Sequence, residues 1–416
     1  MRRILIIFAI LIVILGIGVV LYFMFGPTAP HLTVSSNAFG DTGAGTQATT
    51  SAPAEIPASS GAGTVVAPNL IQITNAPVSA GEIALDLVTS TSTASQPLTG
   101  SSTPTNGPTP EVVNTDIAVR YIDRQSGNVY QYLANARSLT RISDKTLPGI
   151  QEASWLPDGS MALVRFLSDT SASETLDTYA LPADGSDGYF LAQNLDEAKV
   201  IGSNSVFTLS AGVNGSIGTV AQMNGANAST IFSSPLSSIV VYPAGNGFIA
   251  ATKAASELDG YAFSVNPNTG TFTPILGPLR GLTILPSPSG QEVLYSYTDG
   301  SEYHMGVFTL STGAVTSLPL ATLAEKCVWT NDSSALYCGI PTSFTGNLPD
   351  DWYQGAVSFT DRIWRIDLHT RLATLVVDPS QDGKTAIDVV NPTLDAGGQL
   401  LVFRNKKDSS LWAYSL

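Results

Sequence analysis

Basic residues are scarce in this chain and unevenly placed. After Arg2 and Arg3 no Lys or Arg occurs before Arg120, and charged residues of both signs make up only 12% of the 416 positions. The formal net charge is −14 with no basic cluster, which excludes a surface built for phosphate backbones or anionic lipid headgroups, so no nucleic-acid partner is expected. Histidine is nearly missing as well: His31, His304 and His369 stand at no ligand spacing, which argues against a metal centre. Acidic turns such as 183–188 lack the spaced carboxylates of an EF-hand loop. There is no G-x-S-x-G elbow for a hydrolase nucleophile, and the two cysteines do not form C-x-x-C. Asp350 and Asp351 are adjacent on one loop, unlike the separated acids of glycoside hydrolysis. No catalytic set and no cofactor site emerges, and the chain is not expected to be an enzyme.

What is present begins with an apolar run from Ile4 to Phe25 behind Met1-Arg2-Arg3. Its 22 residues, rising about 1.5 Å each, span roughly 33 Å, enough for a bilayer core. The run is longer than a signal-peptide h-region, so residues 1–25 are expected to be a retained transmembrane signal anchor. The flanking arginines place the N-terminus in the cytoplasm and the rest of the chain outside it, on a cell membrane crossed once. Residues 26–67 are mostly Gly, Ala, Ser, Thr and Pro. Such a segment cannot bury enough apolar surface to offset its ordering entropy, and it reads as a disordered tether. Residues 68–416 carry the whole net charge.

This remaining body repeats. ASWLPDGSMALVRF, residues 153–166, alternates apolar and polar positions on either side of a Pro-Asp-Gly turn and reads as a hairpin. Similar hairpins turn at Gly159, Asn204, Asn246, Gly290 and Asp332, spaced by 45, 42, 44 and 42 residues, and a sixth turns near Gly397. A second hairpin follows each in most units, as in YAFSVNPNTGTFTPI and IWRIDLHTRLATLV. Four strands with a period in the low forties predict an all-β chain folded as a β-propeller. The chain stops on SLWAYSL, one strand short of a full unit, while Asn69 to Thr74 reads like the last strand of one. Closing the ring with that segment gives seven blades, with 77–85 as the next first strand; six blades is the alternative. The stretch Trp155, Pro157, Asp158, Gly159 and Ser160 resembles the repeat of TolB-like and WD40-like propellers. The resemblance implies the propeller fold and no particular activity. TolB-type proteins carry a further α/β domain ahead of the propeller, which this sequence does not show.

Two insertions and one cysteine pair mark the body. Ser, Thr, Pro and Gly dominate 89–113, a low-complexity insertion between a first and a second strand. Residues 341–361, PTSFTGNLPDDWYQGAVSFTD, interrupt a unit between its second and third strands. Phe344, Asp350, Asp351, Trp352, Tyr353 and Phe359 are the binding candidates there: the aromatics either pin the loop to the body or face a partner. If the hairpin KCVWTNDSSALYC is symmetric about Asp332-Ser333, Cys327 lies opposite Cys338, within reach of a disulfide in an oxidising compartment. The function these features favour is a protein-interaction or envelope-recognition scaffold. A propeller binding a glycan or small ligand at its channel mouth is the alternative, and a loop-based hydrolase or lyase is a more remote one.

Overall fold

The computed structural model describes residues 69–91, 112–170, 173–300 and 302–416, all within the compact unit Val66–Leu416. The expected anchor (1–25), the tether (26–67) and most of the low-complexity insertion lie outside the described residues. Among the described residues, no helix is long and apolar enough to cross a membrane.

Strand β1 (Leu70–Thr74) is followed by β2 (Ile83–Thr91), β3 (Val112–Ile122), β4 (Val129–Leu133) and β5 (Ser138–Arg141), of which β2 to β5 form one antiparallel sheet in chain order. The next sheet is β6 (Ile150–Trp155), β7 (Met161–Thr170), β8 (Ser173–Pro182) and β9 (Tyr189–Phe190). The third is β10 (Glu197–Ile201), β11 (Ser205–Gly212), β12 (Gly215–Gln222) and β13 (Ser229–Ser234). A seven-stranded sheet follows: β14 (Ile239–Ala244), β15 (Gly247–Thr252), β16 (Asp259–Val265), β17 (Phe272–Pro286), β18 (Glu292–Thr298), β19 (Tyr303–Thr309) and β20 (Ala314–Ser317). Its long central strand serves two neighbours in turn. Phe272 to Leu279 pair with β16, Thr283 to Pro286 pair with β18, and Arg280 opposes both Asp259 and Thr298. After it come β21 (Cys327–Trp329), β22 (Ala335–Pro341), the one-turn helix α1 (Asp350–Tyr353), β23 (Asp361–Asp367), β24 (Ala373–Val377) and the one-turn helix α2 (Pro379–Asp382). The chain ends on β25 (Val389–Leu394), β26 (Leu400–Asn405) and β27 (Leu411–Ser415).

Tight turns set this pattern. At Gly159 (φ 68°) the Pro-Asp-Gly sequence supplies the left-handed residue that returns the strand, while the Asp158 carboxylate accepts from the Ser160 amide at 2.9 Å. Gly290 (φ 68°) is required twice over. A β-carbon there would stand 2.6 Å from the backbone of Ala244 and Gly245 in the neighbouring turn. The cysteine hairpin has the expected register: Cys327 opposes Cys338, Trp329 opposes Leu336, and a disulfide joins the pair.

The last sheet is closed by the first strand. β1 pairs with β27, Leu70 opposite Tyr414 and Thr74 opposite Leu411, giving the order β1-β27-β26-β25. Apolar clusters join consecutive units face to face. Phe207 and Leu209 pack with Ile239 and Val241, and Met305 and Val307 with Trp329 and Leu336. The cluster of Ile73, Val119, Val402 and Ala413 joins the last sheet to the first. Sheets that each pack on the next and close head to tail form a β-propeller. One expectation is corrected. The strand expected at 77–85 is Ile83–Thr91, and the insertion is shorter than 89–113, because Thr89, Ser90 and Thr91 continue the ladder opposite Asn114, Val113 and Val112. The segment ahead of that strand bridges instead, Val78 with Asp123 and Ala80 with Glu152.

Candidate functional site

First and second strands run antiparallel, Ile239 opposite Thr252 and Cys327 opposite Cys338, so first strands begin where second strands end. The 341–361 insertion departs from that same end. It is held by a buried ionic centre. Lys326, in the turn before β21, is fully enclosed, and its Nζ lies 2.7 Å from Asp361 Oδ2 and 2.5 Å from Asp388 Oδ1, both carboxylates equally enclosed. One cation facing two carboxylates leaves a buried excess of negative charge. Burial pushes Asp361 up to about 6, against the pull of Lys326.

The loop supplies the missing donors. Trp352 Nε1 donates to Asp388 at 3.1 Å, and the Phe359 amide donates to Asp388 Oδ2 at 2.9 Å. The ammonium of Lys326 lies 5.1 Å from the Trp352 ring and 5.4 Å from that of Phe359. Lys406 lies 4.9 Å from the Trp352 ring. Leu348, Trp352 and Phe359 complete an apolar cluster with Leu323 and Val390.

The six loop candidates therefore divide. Trp352 and Phe359 are 2% and 3% exposed, so they are anchors and not contact residues. Asp350 is also structural. Its Oδ2 accepts from the amide and hydroxyl of Ser256 at 2.8 and 2.6 Å, tying the loop to the connection between β15 and β16. Asp351 accepts from the Asn347 amide at 2.7 Å and closes the loop's own turn. Phe344 and Tyr353 remain open to solvent, at 41% and 45% exposure. Phe344 stacks on Tyr303 at 5.6 Å between centroids.

Tyr353 also reaches inward and donates its hydroxyl to Glu325 Oε1. The two line a cavity of about 320 Å³ together with Tyr242, Lys253, Thr283 and aliphatic side chains from β14, β15 and β17. Burial pushes the Glu325 carboxyl up, opposed by the Tyr353 hydrogen bond. Burial also pushes the Tyr242 and Tyr353 hydroxyls up, and the Glu325 charge adds to both shifts. The Lys253 ammonium is drawn to Asp196 at 3.0 Å.

None of Lys326, Asp388, Glu325 or Tyr242 was singled out from the sequence. A signal for the acids existed: Glu82, Glu152, Glu197, Glu325 and Asp388 each stand at or near the start of a first strand. Glu197 shows one use of that position, accepting from the Val241 amide while Lys199 pairs with it at 3.0 Å. Glu82 shows another: it is buried with neither carboxylate oxygen hydrogen-bonded, and burial pushes it up to about 7 despite Arg404 nearby. His304 pairs with Asp299 at 2.9 Å, and no group of three potential metal ligands occurs among the described residues.

No protein-family model matches the chain, and no curated protein sequence matches it. Among solved structures it is similar to an oligogalacturonate lyase in complex with manganese, at 9% identity and a TM-score of 0.48 over 82% of this chain and 98% of that one. It is also similar to the Cps50 (Swd1) β-propeller domain of Myceliophteria thermophila, at 10% identity and a TM-score of 0.45 over 72% and 93%. TolB from Acinetobacter baumannii matches at 10% identity and a TM-score of 0.40 over 72% of this chain, which spans 63% of the TolB chain. Likeness at this level carries no residue role from one chain to another. The β-propeller stands on the sheet order and the closure described above.

Proposed function

We propose that the chain is a seven-bladed propeller, anchored in a cell membrane by residues 1–25 and tethered outside the cytoplasm by 26–67. It acts there as a non-catalytic recognition scaffold for a protein or envelope component. Counting the seven-stranded sheet as two four-stranded blades that share β17 supports the blade number. The observation that carries the function is the clamp of the 341–361 loop on Lys326, Asp361 and Asp388, with Phe344 and Tyr353 left facing solvent. A loop ordered before its partner arrives loses little entropy on binding, so two exposed aromatics on it can act as contact anchors.

The test replaces both contacts and leaves the ion pairs and hydrogen bonds of Lys326, Asp361 and Asp388 in place; since Phe344 and Tyr353 also pack on Phe359 and Trp352, near-ultraviolet circular dichroism checks that the loop stays docked. Phe344→Ser with Tyr353→Ser, displayed on intact cells, should retain the fold and lose a partner that the unaltered chain captures from the same membranes. An unchanged set of captured proteins would sink this reading. Labelling of the exposed Tyr353 by a membrane-impermeant reagent in intact cells, compared with permeabilised ones, tests its side of the membrane; labelling only after permeabilisation contradicts the extracytoplasmic placement.

A further inference from the structure

The cavity beneath Tyr353 has a function of its own to explain. Glu325 Oε1 accepts from Tyr353, and the buried Oε2 has only the Thr283 hydroxyl near enough to favour its charge, outside ordinary hydrogen-bond geometry. Lys326 next to it is committed to Asp361 and Asp388, and Lys253 leans out to Asp196 at 3.0 Å. The cavity wall thus holds a carboxylate that has no ion pair among the described residues, together with the side chains of Tyr242 and Tyr353. Tyr242 already accepts a cation, with the Lys199 ammonium 4.5 Å from its ring centre.

We propose that this cavity binds an organic ammonium group, with Glu325 as its counter-ion and Tyr242 and Tyr353 as its aromatic walls. A carboxylate held out of water gains most from a full positive charge, and tyrosine faces attract a desolvated cation through their quadrupoles. A neutral polyol would hydrogen-bond to Glu325 and leave that charge uncompensated. At about 320 Å³ the space suits a small headgroup, at the lower end of ligand-site sizes. The net charge of −14 favours approach of a cation. This site shares Tyr353 with the proposed contact surface, whereas Glu325 and Tyr242 belong to the cavity alone, so variants at those two test it independently of the partner reading.

The test is calorimetric titration of the folded chain with choline, with its neutral isostere 3,3-dimethylbutan-1-ol, and with glucose. Choline should bind saturably, and both neutral probes should bind at least roughly ten-fold more weakly. Glu325→Gln, which keeps the shape of the protonated acid, should weaken choline by a similar factor. Tyr242→Phe should retain binding and Tyr242→Leu should lose it, with near-ultraviolet circular dichroism confirming that each variant is folded. No saturable choline binding, equal binding of the neutral isostere, stronger binding of glucose, or an unaffected Glu325→Gln variant overturns the proposal.

Discussion

Glu82→Gln should stabilise this protein increasingly as pH rises above about 4.5, reaching its full effect above pH 7. The carboxyl is 8% exposed, neither oxygen is hydrogen-bonded, and burial raises it from 4.5 to about 7 even with Arg404 nearby. Between those two values the folded chain holds a proton that the unfolded chain has released, so stability falls as pH rises through the window. Below pH 4.5 both states are protonated and the group contributes nothing. Above pH 7 the folded state carries the full cost of that rise from 4.5 to about 7, about 3 kcal/mol. Glutamine mimics the neutral acid and cannot ionise. Urea unfolding of Glu82→Gln and the unaltered chain should therefore coincide at pH 4 and separate by about 3 kcal/mol at pH 8.5, with glutamine the more stable. Removing the nearby cation by Arg404→Met should raise the acid further and widen the separation. A glutamine variant that is less stable at pH 8.5, or shifted equally at both pH values, would refute the reasoning.

Other perturbations address the clamp and the crosslink. Lys326→Met leaves Asp361 and Asp388 buried without their cation and should cost about 3–5 kcal/mol in denaturant unfolding; adding Asp361→Asn and Asp388→Asn should recover part of it. Trp352→Ala should cost about 3–5 kcal/mol and expose 341–361 to limited proteolysis, because both the Asp388 hydrogen bond and the buried ring are lost. Replacing Cys327 and Cys338 by Ser frees a loop of 11 residues and should lower stability by about 2.8 kcal/mol under non-reducing conditions, with no difference once the unaltered protein is reduced. Deleting Leu70 to Thr74 uncovers β27, and sedimentation should then show self-association through that edge.

The repeat was legible because turn chemistry is local. Pro-Asp-Gly at 157–159 and Asp332-Ser333 each dictate their hairpin within a few residues, and strand alternation fixes the pairing from there. Ring closure was legible for a related reason: β1 looks like the end of a unit, and the C-terminal unit lacks one. The strand end at Thr91 was hidden, since a Ser/Thr run has the composition of a loop although threonine suits a ladder. The fate of the aromatic loop was hidden more deeply. Trp352 is buried by an acid 36 residues further on, and Asp350 by a serine 94 residues earlier. No local pattern encodes partners at that range. The ionic centre was missed because Lys326 and Asp388 stand 62 residues apart in sequence and are neighbours only in space.

The pairing of β1 with β27 gives the ring a mechanical character. Sliding β1 past β27 along the strand direction would load their paired residues together, in shear, where peeling would load them one after another. Synthesis meets the same strand as a delay. Leu70 emerges early and has no mate until Tyr414 has been added, so the circle can be locked only after β27 has been made.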